Sequence, residues 1–89
     1  MVNISITKIS KNNDHYTVKL ELTLMDSTIC LNIDNVPRAV HSVEAKLRNN
    51  ILYIDLIDEY GKGFASCVID LSHIHKKCLY CRSLTIPSQ

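Results

Sequence analysis

Tyr16-Thr17-Val18-Lys19-Leu20-Glu21-Leu22-Thr23-Leu24 alternates apolar and polar residues without a break. Successive side chains of a strand point to opposite faces. Tyr16, Val18, Leu20, Leu22 and Leu24 therefore share one face, and Thr17, Lys19, Glu21 and Thr23 share the other. The stretch predicts a half-buried β-strand with a core side and a solvent side. Asp26-Ser27 follows as a turn, and Ile29, Leu31 and Ile33 then alternate with Thr28, Cys30 and Asn32. The two runs are close enough to pair as a hairpin. Asp34-Asn35-Val36-Pro37 ends the second one, because proline cannot donate to a ladder.

The same period recurs downstream. Val43, Ala45 and Leu47 alternate with Glu44, Lys46 and Arg48, and Asn49-Asn50 comes next. Asparagine tolerates the left-handed backbone of a tight turn, so a second hairpin is expected there. Ile51 to Ile57 is apolar on both faces apart from Asp55. Such a strand belongs at the centre of a sheet or against a partner, which makes Ile51, Tyr53 and Ile57 candidate interaction residues. Val40, Val43 and Leu47 also fit a helical face over Arg38–Leu47, but the period of two is the stronger pattern. Asp58 to Gly63 reads as a polar loop. Phe64 to Leu71 reads as a strand with Ala65, Cys67, Ile69 and Leu71 inward, and Ser72 to Lys77 as a loop. Cys78 to Ile86 reads as a last strand stopped by Pro87, while Ile4 and Ile6 mark a first one. Six to seven short strands without a helical pattern predict an all-β domain, an antiparallel β-sandwich of immunoglobulin-like type or a small barrel, spanning residues 1–89.

Composition narrows the functional classes. The chain has 89 residues, 46% hydrophobic and 21% charged, with 10 Lys+Arg against 9 Asp+Glu. A net charge of +1 gives no electrostatic footprint for nucleic acid or an anionic membrane. No apolar run approaches the roughly 20 residues of a membrane span, and the first residues do not read as a secretory signal. A cytoplasmic location is the default expectation. No Gly-rich phosphate loop or nucleophile motif is present, so an enzyme is not expected. Asp55, Asp58 and Glu59 could act as paired carboxylates, or form the charged end of a strand and its loop.

One string is rich in chemistry: His73-x-His75-x-x-Cys78-x-x-Cys81. Two imidazoles and two thiolates suit tetrahedral zinc. If 78–81 is strand, however, the two cysteines face opposite ways and cannot share an ion without a bend. The competing readings are cysteines packed as small buried groups beside a solvated histidine loop, or disulfides. Cys30, Cys67, Cys78 and Cys81 allow three pairings, and sequence does not choose among them. A disulfide scaffold would suit an exported protein. Thioredoxin-type redox chemistry wants a βαβ unit that the chain does not predict.

Val43-Glu44-Ala45-Lys46-Leu47-Arg48-Asn49-Asn50-Ile51-Leu52-Tyr53-Ile54 resembles a hairpin of the small heat-shock proteins, whose α-crystallin domain carries an Ala-x-Leu-x-Asn-Gly-Val-Leu-x-Ile stretch. Asp14 to Leu22 looks like an early strand of that domain, and Leu84-Thr85-Ile86 is similar to the family's short apolar tail. The resemblance covers about a third of the chain, and Asn50 stands where the family has glycine. It implies an α-crystallin-like sandwich acting as an ATP-independent holdase or co-chaperone, offering sheet edges and grooves to partners. The expected function is a non-enzymatic interaction module, binding a protein partner or a second copy of itself. The alternatives are a Cys/His metal-binding accessory protein with zinc at His73, His75, Cys78 and Cys81, and a specific inhibitor or immunity-type protein.

Overall fold

Each alternating run becomes a strand. The structure, a computed structural model, describes residues 2–24, 27–72, 78–81 and 84–86. Seven strands follow in order: β1 (Val2–Asn12), β2 (His15–Leu24), β3 (Ser27–Val36), β4 (Ser42–Arg48), β5 (Ile51–Ile57), β6 (Gly63–Asp70) and β7 (Cys78–Cys81). Strands β1-β2-β3-β7 form a sheet of four, and β4-β5-β6 a sheet of three. The first will be called sheet A and the second sheet B. Strands β1-β2-β3 and β4-β5-β6 are each a meander of hairpins, β7 joins β3 from the far end of the chain, and the two sheets stack as a β-sandwich.

The apolar faces meet between the sheets. Val18, Leu20 and Leu22 of β2, Leu31 and Ile33 of β3, and Leu52, Ile54 and Leu56 of β5 are all shielded from water. Fully burying a side chain of this size contributes about 1.5–3 kcal/mol. β5 lies at the centre of sheet B, as its two-faced apolar pattern predicts. Asn49 and Asn50 both adopt positive φ, 49° and 64°, between β4 and β5. That pair of left-handed residues gives a two-residue hairpin its matching twist.

The structure departs from the alternation in three places. β1 runs well past Ile6 to Asn12, around a bulge between Ile6 and Lys8. Thr7 is the extra residue there, and its hydroxyl donates to the Lys19 carbonyl at 3.0 Å. β3 continues to Val36 through an irregularity opposite Tyr16–Val18. Asn35 absorbs it with φ 59°, which returns Val36 to the core side. The last strand ends at Cys81 instead of Ile86, and it pairs with β3 in parallel. Thr85 then bonds to Ser66 of β6 in the opposite sheet, with both N–H···O bonds at 2.9 Å. The C-terminal segment therefore crosses from sheet A to sheet B. A local period of two carries no information about which sheet a strand joins.

Asp58 anchors the loop before β6. It is the only buried charged residue of the described part. Its Oδ1 accepts the N–H groups of Tyr60 at 2.9 Å and Lys62 at 3.0 Å. Gly61 closes the turn at φ 80°, donating to the Asp58 carbonyl at 3.1 Å. Oδ2 lies 3.6 Å from the Arg38 guanidinium, which also stacks 5.1 Å from the Phe64 ring centre. Asp58→Ala removes the shared acceptor of both N–H groups and is expected to cost about 2 kcal/mol in urea unfolding. Asp58→Asn keeps an acceptor oxygen and loses a half-exposed ion pair, so its expected cost is under about 1 kcal/mol. Equal losses in the two variants would assign the effect to charge instead of the turn.

Candidate interaction surface

The sandwich has two flanks of different construction. On one, β6 and β7 are tied together across the sheets. Cys67 of β6 and Cys81 of β7 form a disulfide between core-facing positions, with Cα atoms 6.6 Å apart. The Ser66–Thr85 bridge covers part of the outer edge of β6 beside it. A second disulfide joins Cys30 and Cys78, which are register partners on β3 and β7, with Cα atoms 4.5 Å apart. The residues that follow them, Leu31 and Leu79, turn toward the core, so this bridge lies on the outer face of sheet A.

This arrangement decides the geometry of the ligand string. Cys78 and Cys81 take opposite faces of β7, as strand parity requires, and each joins a different cysteine. A sulfur in a disulfide has no thiolate to offer a metal, so zinc at Cys78 and Cys81 would first require reduction. His73 and His75 lie outside the described residues. Among the described residues no group of three or more metal-capable side chains converges. The carboxylates do not converge on a shared task either. Asp55 points to the outer face of sheet B, Glu59 is exposed, and Asp58 is engaged in its loop.

Among the described residues, the opposite flank is open. β1 and β4 are the edges of their sheets and pack against each other across the sandwich. Their core-facing positions are incompletely covered. Ile9, register partner of fully buried Val18, is 39% exposed. Leu47, register partner of fully buried Leu52, is 43% exposed. Val2, Ile4, Ile6, Val43 and Ala45 are only partly buried against the core. The apolar interior thus reaches the solvent along this flank.

No protein family, curated protein or solved structure matches the chain.

The outer face of sheet B is the second apolar feature. Ile51, Tyr53 and Ile57 all point outward from β5, with Tyr53 41% exposed. Val68 lies opposite Tyr53 on β6 and is 59% exposed. Lys46, Arg48, Asp55 and Ser66 complete a shallow cleft of about 320 Å³ around the ring. Ile51, Tyr53 and Ile57 are the candidate interaction residues of the sequence, and the structure adds Val68, Leu47 and Ile9 as further exposed apolar side chains. The alternation of β6 placed Val68 outward, a legible signal. The exposure of Leu47 was hidden, because alternation assigns it to the core and only the sheet order makes β4 an edge, whereas Ile9 is out of phase with Ile4 and Ile6 and reaches the core side only through the bulge at Thr7.

Proposed function

We propose that the protein is a non-enzymatic interaction module that receives a partner along its open flank, in the manner of a holdase or co-chaperone. The observation that carries this reading is the exposure of Ile9 and Leu47, core-facing residues on two unpaired edges. An edge offers unpaired N–H and C=O groups, and an extended segment that adds to it gains main-chain bonds. Side chains of that segment then cover the apolar residues the fold leaves wet. Stapling of the other flank supports the same direction, because it leaves the open one as the place where the sandwich can be extended.

The test is suppression of aggregation of a heat-unfolded client protein, without reductant, by the native chain and by an Ile9→Asp, Leu47→Asp variant. Each residue is worth about a tenfold change in affinity when its burial is lost. The double variant is therefore expected to need roughly a hundredfold more protein for the same effect. A native chain that never slows aggregation, and whose β1 and β4 amides exchange at unchanged rates beside the client, would sink the reading.

A second reading is a specific inhibitor or immunity-type protein that docks a folded target on the outer face of sheet B. Tyr53 and Arg48 favour it, because aromatic residues and arginine anchor such interfaces. Loss of binding in Tyr53→Ala, with the Ile9, Leu47 variant unchanged, would move the site to this face. The two disulfides support a setting that keeps thiols oxidised, outside the cytoplasm that composition alone suggests.

A further inference from the structure

The two open edges are not equivalent. β1 carries a bulge between Ile6 and Lys8 together with Lys8 and Lys11, the devices that discourage an edge from pairing. β4 carries no bulge and no proline, and it pairs with β5 without a register shift. The direction of its backbone groups follows from its turn. Residues flanking a two-residue hairpin turn form a hydrogen-bonded pair, and such pairs recur at every second residue. Arg48, Lys46, Glu44 and Ser42 therefore turn their N–H and C=O groups toward β5. Leu47, Ala45 and Val43 turn theirs to the open edge.

We infer that this edge pairs with the same edge of a second copy of the chain, antiparallel and centred on Ala45. The inference rests on the open-flank reading above and names the occupant of the β4 edge. Centring on Ala45 sets the edge-facing groups of Val43, Ala45 and Leu47 against those of the partner's Leu47, Ala45 and Val43. On the core side, Val43 meets the partner's Leu47, which covers the exposed leucine. On the outer side, Glu44 meets the partner's Lys46, and Ser42 meets the partner's Arg48. The two-fold axis repeats each pair. Opposite charges directly across an antiparallel pair stabilise it, and like charges oppose it.

Neighbouring registers lose this match. Centring on Glu44 or on Lys46 places that residue opposite its own copy, a like-charge pair on the two-fold axis, and gives up the Glu44–Lys46 match. Within one chain, Glu44 stands opposite Asp55, a like-charge pair that a cation from the second copy offsets. Pairing would join two three-stranded sheets into one continuous sheet, with β1 left at its guarded edge.

Sedimentation velocity from micromolar to millimolar concentration tests the inference with a charge exchange. The native chain is expected to dimerise reversibly. Glu44→Lys alone and Lys46→Glu alone each place like charges opposite one another twice, and each should raise the dimer Kd roughly tenfold or more. The combined Glu44→Lys, Lys46→Glu variant restores the pairing and should return Kd to near the native value. In the native chain, hydrogen exchange at Val43, Ala45 and Leu47 should slow as concentration rises. A native chain that remains monomeric at millimolar concentration overturns the inference, as does a dimer indifferent to all three variants. A monomer whose β4 amides are protected by a client overturns self-pairing and leaves the interaction module standing. A chain that neither dimerises nor binds a client at this edge overturns both.

Discussion

Reduction of both disulfides is expected to bring the protein close to unfolding at 37 °C. Cys30 and Cys78 are 48 residues apart, and Cys67 and Cys81 are 14 apart. Closing such loops in the unfolded chain removes entropy worth about 4 and about 3 kcal/mol respectively. A domain of this size is stable by only about 5–13 kcal/mol. One kcal/mol shifts the melting temperature of so small a domain by about 4–8 °C. Loss of either bridge should therefore lower Tm by at least about 10 °C, and loss of both should leave little cooperative transition above 37 °C. Thermal unfolding with and without a dithiol reductant measures this. The native protein should also resist alkylation under non-reducing conditions. Equal melting curves in the two states, or ready alkylation of the native chain, would remove both bridges from the account.

The two bridges should separate by the way they are removed. Reduction keeps the sulfur atoms in place, so loop length dominates and Cys30–Cys78 matters more. Substitution by alanine also strips sulfur from the interior at Cys67 and Cys81, both buried. That pair then adds a packing loss that the outer bridge does not incur.

The second large effect is expected at Ile54. It is fully buried on the central strand of sheet B, with Ala45 on one side of it and Cys67 on the other. Ile54→Ala leaves a cavity that neighbouring strands cannot close, at a cost of about 2–5 kcal/mol. Tyr53, the preceding residue, points outward, and Tyr53→Ala should cost under about 1 kcal/mol. Urea unfolding of the pair reads the alternation directly. The midpoint should fall sharply for one residue and barely for its neighbour, with the slope unchanged in both. Comparable losses would mean that β5 is not oriented as described.

The all-β class of six to seven strands and the inward faces of the central ones were legible because burial on one side of a sheet forces a period of two. Val18, Leu20 and Leu22 announce their face, and Asn49-Asn50 announces its turn. Three features were hidden. The outer half of β1 is polar and bulged, so no alternation marks it. The parallel docking of β7 on β3 depends on contacts between residues far apart in the chain. The cysteine pairing was undecided by count, although parity held part of the answer. Cys67 shares a face with Ala65 and Ile69, whereas Cys30 alternates with Leu31. An inner and an outer cysteine on separate strands each need a partner of matching parity, and β7 supplies one of each. The open flank was legible only in its ingredients: the alternating charges of β4 were visible, but not that β4 would be left at an edge.

The opposed faces of Cys78 and Cys81 bear on the fidelity of oxidation. Cys30 and Cys67 are synthesised first, and a bridge between them would be the simplest error. Once the first three strands have formed their sheet, Cys30 lies on its outer side. Cys67 belongs to the layer that stacks on the inner side. The pleat thus holds the two early thiols on opposite sides of a sheet until the final strand arrives with one sulfur for each. The four-residue β7 carries one sulfur of each parity, so in the folded sandwich each earlier cysteine meets a partner on its own side of the sheet.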